Sequence, residues 1–311
     1  MPKVSILIPC YNNAGWIEKS IEAALSQSVS SKEVIVLDDG STDDSLNKIQ
    51  SFGDRIKWET GPNRGGNVAR NRLLEMASGE WVQYLDADDS LEEDKVSRQL
   101  EAATEDVDAV YGSVTVESWR SGELVDRFTS TPARSQDVYS QWLDWKLAQT
   151  GSVLWRTESL RSIGGWNEDY ACCQDNEICL RALQKGLVFR QTDDSGAIYR
   201  LWSSGTVSKK NPERLLKTKT ALIEEMLDWL ESSGRLLDVH RIDAGKACFQ
   251  MARLYAAADI DGASDYYKGM MAKGIMYPDA TVAPPVYRAL LSIFGFKFAE
   301  KVAKALRRSQ G

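Results

Sequence analysis

At 311 residues, 43% apolar and 27% charged, the chain can bury a full core and has the composition of an ordinary globular protein, which excludes disordered and membrane-spanning classes. A net charge of -7 argues against a general nucleic-acid binder, because that surface repels a phosphate backbone and no basic patch interrupts the first 200 residues. Cys10, Cys172, Cys173, Cys179 and Cys248 form no CxxC pair and His240 is the only histidine, so neither a disulfide framework nor structural zinc is expected. The apolar stretch in "MPKVSILIPC" is too short for a signal peptide and no later run approaches the length of a membrane span, so a cytoplasmic protein is the expectation.

The first half alternates two periodicities. "VSILIP" (4 to 9), "EVIVLD" (33 to 38), "RIKWE" (55 to 59) and "WVQYLD" (81 to 86) are short apolar runs suited to strands buried on both faces. Between them "WIEKSIEAALSQ" (16 to 27), "DDSLNKIQSF" (43 to 52) and "GNVARNRLLEMA" (66 to 77) carry apolar residues at helical spacing. This alternation predicts right-handed βαβ crossovers, a mostly parallel sheet and an α/β fold. Further on, "AVYGSVTVESW" (109 to 119) and "ELVDRF" (123 to 128) read as a hairpin, with short strands at "SVLWR" (152 to 156) and "VFRQT" (188 to 192). Beyond about residue 211 the chain reads as helices, so the expected division is 1–210 for an α/β domain and 211–311 for a helical region. Its last stretch, 287 to 310, joins an apolar face to Lys297, Lys301, Lys304, Arg307 and Arg308; this pattern fits a packed terminal helix or one lying on a membrane surface.

In parallel sheets ligands collect beyond the carboxyl ends of the strands. Three such ends are chemically loaded: "PCYNN" (9 to 13), "DDGSTDD" (38 to 44) and "DADD" (86 to 89). Three carboxylates in four positions repel one another unless a cation or a donor network neutralises them, and hard oxygen ligands suit Mg2+ or Mn2+ held against a diphosphate. The competing reading of "DADD" is a helix cap, with Asp89 or Ser90 opening a helix at Leu91. In "DDGSTDD", a turn through Gly40 explains the small residues but not two preceding acids. A carboxylate there can accept a hydrogen bond from a nucleobase or ribose, and Tyr11 offers a ring for stacking, or fills the core. Asp175 follows the loop "NEDYACC" at a helix start, where an ionised carboxylate is favoured; Glu177 is the reserve candidate, and Glu168 and Asp169 read as loop surface.

"VSILIPCYNNAGWIEKSIEAALSQ", "EVIVLDDGSTDDS", "NRGGNVARNRLLEMASGEWVQYLDADD" and "IGGWNEDYACCQDNEICLRALQKG" together resemble, in order and spacing, the family 2 glycosyltransferases of GT-A fold, over roughly residues 3 to 207. The resemblance implies an inverting transferase that takes a sugar from a nucleotide diphosphate, UDP in the first instance, to a glycan, lipid-linked or protein hydroxyl in envelope polysaccharide, lipopolysaccharide or glycoprotein assembly. It implies donor contacts at Pro9, Tyr11 and Asp39 and along Asp86-Ala87-Asp88, Mn2+ or Mg2+ at Asp88, and Asp175 as catalytic base. Two departures stand out: Gln174-Asp175 where many relatives have Glu-Asp, and Trp202 in "YRLWSSGTVS", a segment where some relatives carry a histidine. Arg200, Ser203, Ser204 and Ser208 there either reach the diphosphate or belong to a surface loop, with Gly205 permitting movement. A nucleotidyltransferase and a noncatalytic sugar-nucleotide-binding protein are the alternatives, though "PCYNNAGW" lacks the basic phosphate loop of the former and Asp88 and Asp175 are both kept, against the latter.

Overall fold

The computed structural model describes residues 4–147, 149–193, 196–202, 211–276 and 282–308; Ser203, Ser204, Gly205 and Ser208 lie outside them. Residues 4–138 and 146–202 form one compact unit, and 139–145 belongs with 211–308 to a second.

The first unit is built on β1 (Val4–Cys10), α1 (Ile17–Leu25), β2 (Lys32–Asp38), α2 (Ser45–Gln50), β3 (Lys57–Thr60), α3 (Gly66–Met76) and β4 (Trp81–Tyr84). β1 pairs in parallel with both β2 and β4, and β2 with β3. The side chains of β1, β4 and most of β2 are buried on both faces, as continuous apolar runs require, and Ile6, Ile8, Val34, Val36 and Trp81 meet Ile17, Ile21 and Ile49 in the core; β3, expected to be buried as well, is the sheet edge and is largely exposed. The chain continues through β5 (Ser90–Leu91), α4 (Lys95–Glu101), β6 (Ala109–Tyr111), β7 (Val114–Arg120), β8 (Glu123–Ser130), α5 (Val138–Leu143), β9 (Leu154–Arg156), α6 (Thr157–Ser162), α7 (Gln174–Lys185), β10 (Phe189–Gln191) and β11 (Ala197–Leu201). The large sheet has the order β10-β6-β9-β4-β1-β2-β3, with β9 antiparallel to both its neighbours; a smaller sheet has the order β5-β11-β7-β8.

Four expectations shift. Strand β3 starts at Lys57, because 53–55 forms a 3-10 turn. The run 109 to 119 divides, β6 joining the large sheet and β7 the small one. Ser90 and Leu91 open no helix; they pair with Ile198 and Ala197 of β11, and the helix waits until Lys95. The segment read as a loop near Arg200 is β11, parallel to β7.

The second unit comprises α5 together with α8 (Pro212–Ser232), α9 (Asp238–Tyr255), α10 (Ile260–Ala272) and α11 (Pro285–Arg308). Residues 139–145 belong here because Tyr139 packs edge-on against Trp229 and His240, at 5.6 and 5.8 Å between ring centroids, and Lys219 lies 4.3 Å from the Trp145 ring. Gly295, at φ 79°, breaks α11 into two helical segments. Among the described residues no helix is long and apolar enough to cross a membrane.

Candidate active site

β4, β1 and β2 are adjacent and parallel, so their carboxyl ends open on one edge of the sheet, and the order reverses at β1. β1 remains paired with β2 through Cys10 but with β4 only through Leu7, whose carbonyl still takes the Leu85 N–H at 2.9 Å. Pro9 falls on the side that β4 has left, where a missing N–H costs no ladder bond. The loops after β1 and β2 are stapled together: Asn12 N–H donates to Ser41 Oγ at 3.0 Å, Thr42 N–H to Asn12 Oδ1 at 2.7 Å, and Ala14 N–H to Asp43 Oδ2 at 3.0 Å. Tyr11, 50% exposed beside these staples, is not core filler.

The two acids after β2 divide their work. Asp38 is buried and closes its own turn, accepting from the Ser41 N–H and, at 2.7 Å, from the Thr60 hydroxyl. Asp39, also buried, accepts the N–H groups of Arg64 and Gly65 at 2.8 and 2.9 Å, and so caps the approach to α3. Gly40, which follows the two acids, has φ 74°, and a Cβ there would stand 2.7 Å from the Asn63 nitrogen, which only glycine avoids.

The acidic end of β4 has three differently held carboxylates. Asp86 pairs with Arg70 at 2.7 Å. Ala87 is buried, with its carbonyl accepting the Ser20 hydroxyl at 2.9 Å. Asp88 is half-buried and accepts the Trp202 indole N–H at 2.8 Å; burial, then the charge of Asp86, raise its proton affinity. Asp89 points inward to the Arg200 backbone N–H at 2.9 Å, and burial together with Asp88 lifts it well above the usual carboxylate range. The cluster is therefore short of positive charge on the Asp88 side.

Asp175 sits in the first turn of α7, half-exposed, its Oδ1 accepting the Asn176 N–H at 3.0 Å. It lines a small cleft with Gln149, Thr150, Trp155 and Trp166. Glu177 does not share that opening: it is buried and bonded to Arg181, which also donates to the Gly165 carbonyl at 2.7 Å. This removes the reserve candidate, while Glu168 and Asp169 are exposed as expected.

Two groups missed by sequence reasoning join these parts. The Tyr199 hydroxyl is raised in proton affinity by burial and then by the charges of Asp89, Asp86, Asp88 and Asp175, so it feels the field of all four carboxylates. Burial works to lower the affinity of the Arg70 guanidinium for its proton, but Asp86 outweighs it and Asp175 adds to the rise; the guanidinium also lies 4.8 Å from the Trp166 ring. α3 is the common support, because Asn67 and Asn71 of the same helix donate to the carbonyls of Asn167 and Trp166 at 2.6 and 2.8 Å and fix the loop leading to Asp175.

Among the described residues no three His, Cys, Asp or Glu side chains form a cage for a metal ion. Asp86 is committed to Arg70 and Asp89 to the backbone, which leaves Asp88, under-neutralised, as the carboxylate to meet a cation. One carboxylate suits Mg2+ or Mn2+ only where a ligand's phosphates and water complete the shell. The residues fit a cation that arrives with a diphosphate.

The family described as Glycosyl transferase family 2 matches residues 5–161. The chain is 35% identical over 134 residues to the GalNAc(5)-diNAcBac-PP-undecaprenol beta-1,3-glucosyltransferase of Campylobacter jejuni, covering 42% of this chain and 43% of that protein, so it spans less than half of that relative's length. It is 29% identical over 225 residues to the UDP-Glc:alpha-D-GlcNAc-diphosphoundecaprenol beta-1,3-glucosyltransferase of Escherichia coli, covering 71% and 86% of the two chains. Among solved structures, S. aureus TarS 1-349 in complex with UDP-GlcNAc matches at TM-score 0.58 and 17% identity over 89% of this chain and 93% of that one. The mannosyltransferase PcManGT from Pyrobaculum calidifontis, in complex with GDP-Man and Mn2+, matches at TM-score 0.55 and 18% identity over 97% and 86%. These likenesses agree with the GT-A arrangement of the sheet, and the match across half its length shows that the chain belongs to glycosyl transferase family 2.

Proposed function

We propose that this chain is an inverting glycosyltransferase that moves a sugar from a UDP-linked donor to a hydroxyl of a lipid-linked acceptor in cell-envelope polysaccharide assembly. The observation that carries the reading is the crowding of Asp86, Asp88 and Asp89 at the end of β4, with Asp86 bonded to Arg70 and Asp88 to the Trp202 indole, on the sheet edge where β1 ends in the exposed Tyr11. A nucleoside would stack on Tyr11, with Asp39 beneath it and Pro9 shaping the floor. Because Asp39 already accepts two backbone N–H groups, any contact with a base uses its remaining lone pairs.

Sugar transfer breaks the anomeric C–O bond through an oxocarbenium-like state, while negative charge grows on the departing diphosphate. Asp88 would hold Mn2+ or Mg2+, which supplies Lewis-acid stabilisation of that charge. Arg70 keeps Asp86 turned to one side, leaving room at Asp88. Across the site Asp175 accepts the proton of the acceptor hydroxyl as it attacks, so the anomeric configuration inverts. The lipid-linked acceptor is favoured because both relatives named above carry a diphosphoundecaprenol acceptor in their names. A glycan or protein hydroxyl would meet the same base.

A peripheral membrane contact goes with that acceptor, in an enzyme working from the cytoplasmic face. At the break in α11, Ile293 and Phe294 are 70% and 58% exposed, and the Phe294 and Phe298 rings lie 4.7 Å apart. Lys301 and Lys304 are exposed near them, with no ion-pair partner among the described residues. Apolar side chains flanked by cations suit an anionic lipid surface.

The test is a panel of UDP, GDP, CDP and dTDP sugars, scored by nucleotide release with and without Mn2+. The reading expects turnover with a UDP sugar and a rise on adding metal. Turnover with another nucleotide alone would overturn the donor, and its absence with every donor and acceptor would leave a binding protein.

A further inference from the structure

We propose that Trp202 is a positioning residue for the cation-binding carboxylate: its indole N–H, 2.8 Å from Asp88 Oδ2, holds that side chain so that Oδ1 is offered to a divalent cation. The proposal rests on the cation reading of Asp88 given above and adds a residue that has no ligating atom of its own. An indole nitrogen donates and has no lone pair to give a metal, so its only part in the site is through the carboxylate. Rotation of an aspartate carboxylate is broad and nearly two-fold, which means that Asp88 has no fixed direction unless a partner holds one oxygen.

The indole is itself braced. Trp202 packs on Trp16 at 6.3 Å between ring centroids, and Trp16 meets Trp119 edge-on at 5.3 Å. The Arg200 guanidinium lies 4.9 Å from the Trp16 ring and Lys19 Nζ 4.5 Å from it. Glu117 accepts the Trp119 N–H at 3.1 Å and pairs with Arg200 at 3.6 Å, while the Arg200 backbone N–H is held by Asp89 at 2.9 Å. The start of α1, β7 and β11 thus set the direction of one hydrogen bond. Trp202 is itself 40% exposed, so a solvated cation can reach the carboxylate it holds.

Partners that orient a metal ligand typically contribute 10–100-fold in metal affinity. The experiment is calorimetric titration of UDP into the intact chain with and without Mn2+, for the unmutated protein, Trp202→Phe and Trp202→Gln. Phenylalanine keeps a ring beside Trp16 and loses the donor; glutamine loses the ring and restores an N–H at similar reach. The expected result is an unchanged metal-free UDP affinity in all three, a loss of about 10–100-fold in the Mn2+-dependent gain for Trp202→Phe, and recovery of most of it in Trp202→Gln. An undiminished gain in Trp202→Phe would overturn the proposal and leave the cation reading standing. Equal losses with and without Mn2+ would also overturn it, since they would show a packing role only. No Mn2+-dependent gain in the unmutated protein would instead remove the cation reading and this inference with it.

Discussion

Replacing Arg70 by methionine keeps the aliphatic stem and removes the charge bonded to Asp86. The bond to Asp86 is 2.7 Å long, with the two side chains 13% and 27% exposed, so it lies between a surface pair and a buried one. Exposed pairs contribute up to about 1 kcal/mol and breaking a buried pair costs about 3–5 kcal/mol, so roughly 2 kcal/mol is expected here. Loss of the guanidinium from the Trp166 ring, 4.8 Å away, adds about 1 kcal/mol. A total near 3 kcal/mol lowers the melting temperature of a unit this size by roughly 6–12 °C. Differential scanning calorimetry of the intact chain measures it, and Asp86→Asn completes a double-mutant cycle. Since two bonded charges are removed together, the double variant should be less damaged than the sum of the single ones by about 1–2 kcal/mol. Losses that add within about 0.5 kcal/mol would refute the pairing, and an Arg70→Met cost below that figure would refute its importance.

Asp88→Asn should raise stability at neutral pH while abolishing stimulation by Mn2+ or Mg2+. Burial and Asp86 raise the proton affinity of Asp88, so the folded chain binds more protons than the unfolded one above the ordinary value of 3.8, and stability falls as pH climbs through that window. The advantage of Asn in melting temperature should therefore be present at pH 7 and vanish below 3.8; the opposite trend would mean that the charge is neutralised in the fold. Asp39→Asn should weaken UDP binding and narrow its margin over CDP, and because it also strips an acceptor from Arg64 and Gly65, it should lower the melting temperature by a few degrees; calorimetry reads both, and equal affinities of the unmutated protein for UDP, GDP and CDP would defeat base selection. Replacing Ile293 and Phe294 by serine should release the chain from phosphatidylglycerol vesicles in a flotation assay with activity on a soluble acceptor intact, while equal recovery from phosphatidylcholine would deny any part for the lysines.

The elements legible in the sequence are those whose pattern is local. β1, β2, α1 and α3 announce themselves because a run buried on both faces, or a helix with one apolar stripe, needs no knowledge of its neighbour. β5 and β11 escape because Ser90–Leu91 is a strand only by virtue of its partner Ala197–Ile198, more than 100 residues away. The same distinction governs the site. Asp86 and Asp88 stand out as a repelling cluster, but the capping by Asp39 of backbone 25 residues downstream shows only when the chain is folded. Arg70 carries no signal among the other charges of its helix, and Tyr199 looks like any strand tyrosine until folding brings it into the field of four carboxylates. Asp175 is singled out by a motif, and Glu177 two positions later differs from it by burial and by its bond to Arg181, which only the fold reveals.

In the proposed mechanism Asp175 removes the acceptor proton while the donor is held elsewhere, and product formation by Asp175→Asn tests this. The unmutated chain, given an α-linked UDP sugar, Mn2+ and a diphosphate-lipid acceptor, should make a β-linked product by NMR. The variant should lose transfer by about 10²–10⁴-fold, the usual scale of general-base catalysis, with UDP affinity nearly unchanged. Retained transfer, or loss only in step with UDP binding, would contradict the assignment, and an α-linked product would contradict inversion itself.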